Sequence, residues 1–189
     1  MNGNVTIQEF YTRVVKLIEE FTGSTSNVTD DEDIKNKLPI LTNQGIKKLL
    51  QVKPIIRFAT LKYADSIASG AGRLYPLPDD LYQLKRVYTD TKYLQTADGR
   101  KNYLLVRAPI INENIDVEYS AFHAEINADT PEGTFIELTS ECIAVLENYV
   151  AAGLTIDTNE MYANFYSEYQ SGMQNLQKSR SSNVAQFYD

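Results

Sequence analysis

The 189-residue sequence predicts an α+β fold, with a four-helix core formed by both ends of the chain and an inserted antiparallel β region at about residues 54–126. Near both ends, apolar residues recur at spacings of three and four, which is typical of amphipathic helices. Between them, short runs rich in β-branched and aromatic residues are separated by turn signals, which favours strands. The composition, 43% hydrophobic and 23% charged, is that of a folded protein.

The N-terminal helix is predicted over about residues 6–21, because its apolar residues follow a helical repeat. Thr6 and Glu9 stand at the two positions of a capping box, in which each side chain bonds the backbone amide of the other residue. Gly23 and the polar run after it predict the end of the helix. The apolar residues of the repeat are Ile7, Phe10, Tyr11, Val14, Leu17, Ile18 and Phe21.

The second helix is predicted over about residues 30–51. It begins at the acidic run 30–33, since carboxylates are favourable at the positive end of a helix. Calcium binding is the alternative use of such a run, but a calcium loop needs ligands at alternating positions and a glycine at its sharp turn, and no such loop is present. Pro39 predicts an interruption or a kink, after which the helix resumes near Ile40.

The β region, at about residues 54–126, contains one strong turn signal. Ala97–Arg100, with the sequence ADGR, lies between the runs KYLQT and NYLLV. Asp-Gly between two such runs is typical of a two-stranded hairpin. The sequence therefore predicts a hairpin turn at this position.

Two further helices are predicted over about residues 139–154 and 158–178. Thr139 or Ser140 can cap the first of them. The last helix contains the run MYANFYSEY, with four aromatic residues. Such a run suits a helix core with aromatic edges, and the alternative is a subunit interface, where tyrosine is enriched.

We expect residues 1–180 to form a single domain and residues 181–189 to form an extended C-terminal tail. The tail begins with polar residues and ends with two aromatic residues, Phe187 and Tyr188. Chain ends of this composition are usually poorly ordered until a partner holds them.

The chain has one cysteine, Cys142, and one histidine, His123. A structural zinc site needs about four Cys or His ligands and a dithiol redox site needs two cysteines, so neither kind of site is expected. No nucleophile motif lies near His123, and we interpret both residues as structural. We therefore expect no enzymatic activity, no metal and no cofactor.

Asp79 and Asp80 are the remaining candidates for acid–base or metal chemistry. Two carboxylates held close together can share a proton or a cation, so a small metal-dependent hydrolase or nuclease is an alternative function. Pro-Asp-Asp is also an ordinary turn or helix start, and we favour that interpretation.

Charge is divided unevenly along the chain, whose net charge is −7. Residues 1–107 carry 16 basic and 12 acidic side chains, whereas residues 108–189 carry 2 and 13. The acidic balance disfavours nucleic-acid binding as a main function. A basic face that meets the acidic half of a neighbouring copy explains the same residues. The basic residues concerned are Lys35, Lys37, Lys47, Lys48, Lys53 and Arg57, and later Lys85, Arg86, Arg100, Lys101 and Arg107.

The N-terminal sequence lacks the charged start and the apolar run of a signal peptide. No stretch approaches the roughly 18 apolar residues of a membrane span. We therefore expect a protein that is made and kept in a reducing cytoplasm.

The order of features resembles the head-to-tail connector, or adaptor, proteins of tailed bacteriophages. The likeness is carried by the turn and strand LYPLPDDLYQLKRVYTD at Leu74–Asp90, the hairpin that follows, and the strand IDVEYSAFHAEI. It continues in the long stretch Glu137–Leu176, where an acidic loop leads into an alanine-rich helix, a polar break and a final helix. The two N-terminal helices match only in outline.

The resemblance implies a non-enzymatic virion protein at the head–tail junction, assembled in the host cytoplasm. Such proteins typically form a ring of twelve copies beneath the portal protein and hold the tail or a further adaptor protein. Double-stranded DNA passes through the lumen without specific binding, and an acidic lining would repel its phosphates. The C-terminal tail commonly reaches the portal, which here implies contact through Val184, Phe187, Tyr188 and Asp189.

Three alternatives remain open from the sequence. The first is another phage structural part, a tail-completion or stopper protein. The second is the hydrolase or nuclease that would use Asp79, Asp80 and a metal ion. The third is a helical interaction module from outside phages, for which oligomeric state is the discriminating observation.

Overall fold

A computed structural model describes six stretches of the chain. The fold is α+β, with four helices and three antiparallel sheets in the described part. The chain divides into a helical unit, formed by Met1–Pro54 and Glu125–Asp189, and an inserted unit, Ile55–Ala124. The single domain over residues 1–180 with a separate tail stays a prediction. The described residues are 5–22, 32–70, 72–88, 94–96, 103–107 and 114–185.

The elements follow one another in an order of two helices, a run of strands and two helices. Their bounds are β1 (Val5–Thr6), α1 (Ile7–Thr22), α2 (Glu32–Val52), β2 (Ile55–Leu61), a 3₁₀ turn (Tyr63–Asp65), β3 (Ile67–Ser69), β4 (Gly72–Pro76), β5 (Leu81–Tyr88), β6 (Leu94–Thr96), β7 (Tyr103–Arg107), β8 (Ile115–Ala121), β9 (Phe135–Ile136), α3 (Ser140–Leu154) and α4 (Asn159–Ala185).

The predicted four-helix core with one inserted β region is wrong. In the helical unit, α1, α2 and α4 each pack against α3, and the same core is completed by strands β1 and β9, which pair with each other. Strands dominate the middle of the chain and form two separate sheets. Helix α3 is the centre of the helical unit, because it buries residues on most of its circumference and therefore needs neighbours on several sides. Its buried residues are Cys142, Ile143, Val145, Leu146, Val150, Ala151 and Ala152.

Glycines allow the helices to approach α3 closely. A Cβ atom at Gly153 would lie 2.7 Å from Leu41 Cδ2, and one at Gly172 would lie 2.5 Å from Val145 Cγ2. A Cβ atom at Gly45 would overlap Leu146 Cδ1 and lie 2.7 Å from Tyr149 Cδ1. Real Cβ atoms do not approach neighbours at such distances, so α2 and α4 can pack this closely only where the side chain is absent.

Local hydrogen bonds fix the starts of α1 and α3 as predicted. Thr6 N donates to Glu9 Oε2 at 3.1 Å and Glu9 N donates to Thr6 Oγ1 at 3.2 Å, so the capping box is confirmed. Thr139 caps α3 by accepting from Cys142 N at 3.5 Å. These bonds satisfy amide groups that the first helical turn leaves without a partner.

Helix α2 differs from the expectation at Pro39, which neither ends nor interrupts it. Leu38, Ile46 and Leu49 are buried on one face that continues past the proline. This tertiary packing outweighs the cost of a proline inside a helix, about 3 kcal/mol. The helix begins at Glu32, with Glu32 and Asp33 in its first turn, while the first two residues of the predicted acidic run lie outside the described residues.

The inserted unit contains two sheets with strand orders β2-β8-β5 and β3-β4-β7-β6. Their inward residues share one apolar core, which includes Tyr75, Leu104, Val106, Val117 and Tyr119. Strands β6 and β7 pair antiparallel, as the predicted hairpin requires, but its turn at Ala97–Arg100 lies outside the described residues. Within the described part of the chain, no helix is both long enough and apolar enough to cross a membrane.

Candidate docking and assembly surfaces

The two aspartates of the predicted carboxylate pair have different surroundings. Residues Pro78–Leu81 form a turn in which Leu81 N donates to the Pro78 carbonyl at 3.1 Å, so the interpretation as a turn is confirmed. The Asp80 carboxylate forms an ion pair with the Arg57 guanidinium and accepts from the Tyr119 hydroxyl at 3.1 Å. Asp79 is exposed. Asp80 therefore links β2 and β8 to the turn before β5.

The same contacts change the acidity of Tyr119. Burial and the hydrogen bond to Asp80 raise the pKa of its hydroxyl above the ordinary value, and Arg57 opposes the change. A tyrosine of raised pKa remains a hydrogen-bond donor at neutral pH. The network thus has a stable donor, an acceptor and a cation, which suits a structural role.

The cysteine and the histidine lie in different units, Cys142 in the helical unit and His123 in the inserted unit. Cys142 is buried in α3, among the core residues of the helical unit. His123 is half-buried, and its Nδ1 atom lies 2.5 Å from the Ala124 carbonyl oxygen. Among the side chains that the structure describes, no three His, Cys, Asp or Glu residues are grouped closely enough to hold a metal ion.

The tyrosine-rich run of α4 forms a core with an aromatic edge. Tyr169 is buried and its ring lies 5.1 Å from that of Tyr149 on α3. Lys48 Nζ lies over the Tyr149 ring, 4.5 Å from its centre. Tyr162 and Tyr166 are half-buried and their rings stack at 5.4 Å. The interpretation as a helix core is therefore confirmed for the inward side. The half-exposed rings leave the interface interpretation as a prediction.

A groove of about 490 Å³ lies in the helical unit, between α1, α2 and the segment 126–132. Asn43 holds this segment, because its side chain donates to the Ile126 carbonyl at 2.7 Å and accepts from Ile126 N at 3.0 Å. Tyr11 lines the groove, and burial raises the pKa of its hydroxyl, which the neighbouring Thr42 side chain opposes. Sequence reasoning missed this groove, since its walls come from three separate parts of the chain.

Several of the predicted basic residues contact other groups of the chain. Lys53 Nζ lies 2.8 Å from Glu141, and Arg86 Nε lies 3.9 Å from Glu118. Lys37 pairs with Asp33 one helical turn away, while Arg57 and Lys48 make the contacts given above. Arg100 and Lys101 lie outside the described residues, and Lys47 is exposed on α2.

The two units of the structure differ in their content of charged side chains. The helical unit carries 17 acidic and 9 basic side chains, whereas the inserted unit carries 8 and 9. Five exposed carboxylates follow one another along the chain from residue 125 into the first turn of α3: Glu125, Asp129, Glu132, Glu137 and Glu141. The acidic character of the chain is therefore a property of the helical unit, to which both ends of the chain contribute.

The sheet β2-β8-β5 presents apolar side chains on its outer face. Phe58 is 71% exposed and Ile56 is 43% exposed, both on β2. Tyr82 and Phe122 are also more than half exposed, and their rings meet edge to face at 5.0 Å. In the antiparallel pairing of β2 with β8, Ile56 lies opposite Ser120, which precedes Phe122 by two residues in the chain. An exposed group of this kind is typical of a contact surface.

The predicted tail residues are only partly within the described chain. Helix α4 continues to Ala185, so Val184 belongs to a helix where an extended tail was expected. Phe187, Tyr188 and Asp189 lie outside the described residues. Their contact with a portal protein stays a prediction.

No protein-family model matches the chain, and no curated protein is significantly similar to it.

Proposed function

We propose that the protein is a head-to-tail adaptor of a tailed bacteriophage, a non-enzymatic virion protein that forms a ring between the portal and tail components. The observation that carries the proposal is the order and pairing of the segments on which the resemblance rests. The strand of Leu74–Asp90 that follows the Pro-Asp-Asp turn is β5, and it pairs antiparallel with β8, the IDVEYSA strand. The remaining segment forms α3 and α4, which pack against each other.

The charge of the helical unit supports a role around passing DNA. A surplus of acidic residues repels phosphate groups over a Debye length of about 8–10 Å, so a lumen lined by this unit would let DNA slide. Five exposed carboxylates between Glu125 and Glu141 supply much of that surplus. A map of an assembled ring with a basic lumen would overturn this part of the proposal.

The engaged state of Asp80 favours the adaptor over the hydrolase or nuclease. A carboxylate that shares its two oxygens with Arg57 and Tyr119 is already neutralised and hydrogen-bonded. Metal catalysis would need the same oxygens for the cation. Replacing Asp79 and Asp80 together should leave ring assembly with the portal intact, and loss of a measurable hydrolytic activity would favour the enzyme.

Electron microscopy tests the proposal directly. The protein, mixed with the portal protein encoded in the same genome, should form a ring on the portal axis, with twelve copies expected. Pull-down against the portal and against the tail tube separates the adaptor from a tail-completion or stopper protein, which would bind the tube instead. A monomer at high concentration with the portal present would contradict the proposal.

The predicted tail contact needs its own test. Removing residues 186–189 leaves α4 as the structure describes it and deletes Phe187, Tyr188 and Asp189. Portal binding should fall at least tenfold, because aromatic anchors usually carry a large share of such contacts. Binding at full strength by the shortened chain would assign the portal contact to another surface.

A further inference from the structure

Within its described residues, the inserted unit has four outer strands, and three of them carry features that discourage pairing with another strand. Strands β3 and β6 are only three residues long. Strand β5 pairs with β8 through two register shifts, and it exposes Lys85 and Arg86. Short strands, bulges and outward charges are the usual ways in which proteins protect a sheet edge.

Strand β2 is neither short nor bulged, and it carries a single charged residue. Its seven residues pair with β8 in an unbroken register, from Ile55 opposite Ala121 to Leu61 opposite Ile115. Its one charged residue, Arg57, is directed to the ion pair with Asp80. Among the described residues, no strand pairs with the other side of β2. An edge of seven residues without a bulge offers alternating amide and carbonyl groups to an incoming strand.

The side chains beside this edge fit the same kind of partner. Ile56 and Phe58 project from alternate positions of β2 onto the outer face, at the period of two that a neighbouring strand would share. Across β8, Asp116 and Glu118 stand opposite Thr60 and Phe58. These carboxylates disfavour an acidic partner and favour a neutral or basic one, although Arg86 partly offsets Glu118.

We propose that the free edge of β2 binds an extended, neutral or basic polypeptide segment as an added strand of the sheet. Main-chain hydrogen bonds to β2 would supply the affinity, and apolar side chains at alternate positions of the segment would lie on Ile56 and Phe58. The inference rests on the sheet alone and does not depend on the adaptor function proposed above.

The test uses the full chain and a fluorescent, capped heptapeptide that alternates valine with threonine and carries one central lysine. Fluorescence anisotropy should show saturable binding. A twin peptide with every backbone amide methylated should bind at least tenfold more weakly, because it cannot donate main-chain hydrogen bonds. A twin with glutamate in place of lysine should also bind more weakly. Equal binding of the methylated twin, or no binding of the first peptide, would overturn the proposal.

Two variants locate the site. Phe58→Lys should weaken binding at least tenfold, while Phe135→Lys, at a comparably exposed phenylalanine of β9, should leave it unchanged. Amide exchange on the unaltered protein provides a measurement that does not depend on variant folding. Alternate amides of β2 should gain protection when the peptide binds, and protection on β5 instead would contradict the assignment.

Sedimentation without peptide examines the other possible occupant, a second copy of this chain. The unaltered protein and Phe58→Lys should contain the same number of copies. A loss of copies on this substitution would assign the edge to self-association and overturn the peptide proposal.

Discussion

The helical unit and the inserted unit differ in the size of their apolar cores and in their charge, although both expose some large apolar side chains. In the helical unit the apolar side chains converge on α3, and close packing depends on Gly45, Gly153 and Gly172. In the inserted unit a smaller core lies between two sheets, while Phe58 and other large apolar residues remain on the outer face. The first unit therefore contains the larger apolar core and the surplus of negative charge, and the second contains the most exposed of the large apolar side chains, Phe58.

The largest expected difference in the free energy of unfolding is between substitution of a buried residue and substitution of an exposed one. Leu146→Ala should lower the free energy of unfolding by about 2–5 kcal/mol, because it leaves a cavity where α2 meets α3. Phe58→Ala should change it by less than about 0.5 kcal/mol, since that side chain is mostly exposed. Urea unfolding followed by circular dichroism measures both. Equal losses would abolish the distinction between the two units.

A methyl group added at a close helix contact should have the next largest effect. Gly45→Ala is expected to cost about 1–3 kcal/mol, because Leu146 and Tyr149 occupy the space of the new Cβ atom. Gly133→Ala is the matched control, with nothing within 4 Å of the added atom. Thermal unfolding should show a clear drop for the first variant only. A similar drop for both would mean that close approach to α3 is not what Gly45 provides.

In the inserted unit, the link between β2 and the turn before β5 should matter less. Asp80→Asn keeps the shape but removes the charge that Arg57 faces, and should cost about 1 kcal/mol. Asp79→Asn, at the exposed neighbour, should have no measurable effect. Exchange of the β2 and β8 amides should become faster only in the first variant. Faster exchange in both would show that the turn itself, and not the ion pair, holds the strands.

The smallest effect is electrostatic and depends on pH. Burial raises the pKa of Glu147 above the ordinary value of 4.5, and Arg13, at 3.7 Å, opposes the change. A raised carboxyl pKa means that the folded chain binds the proton more tightly, so this group lowers stability as pH rises past its ordinary value. Glu147→Gln should therefore raise the melting temperature slightly at pH 7.

The same variant should have no such advantage near pH 4 and below, where the carboxyl group is protonated. The exposed Glu168→Gln serves as the control and should show little change at either pH. A gain for Glu147→Gln that is equal at both pH values would rule out ionisation as its cause.

How far the sequence could predict the fold differs between features. The capping box of Thr6 and Glu9 was predictable, because its residues are three positions apart and bond each other directly. Continuity of α2 past Pro39 was not, since the packing that outweighs the proline comes from the other helices. The free edge of β2 had a partial signal in the run IIRFATL, which contains a single charge, but its pairing partner β8 lies about sixty residues away.

The sequence by itself determined what depends on near neighbours: helix starts at Thr6 and Thr139, the turn after Pro78, and alternating helical and strand-forming segments. Tertiary structure decided the rest. It made α3 the centre of the helical unit, neutralised Asp80 with Arg57, and gathered the acidic residues of both chain ends into one unit. The physical reason is that local preferences act over a few residues, whereas burial and charge pairing are fixed by contacts between distant parts of the chain.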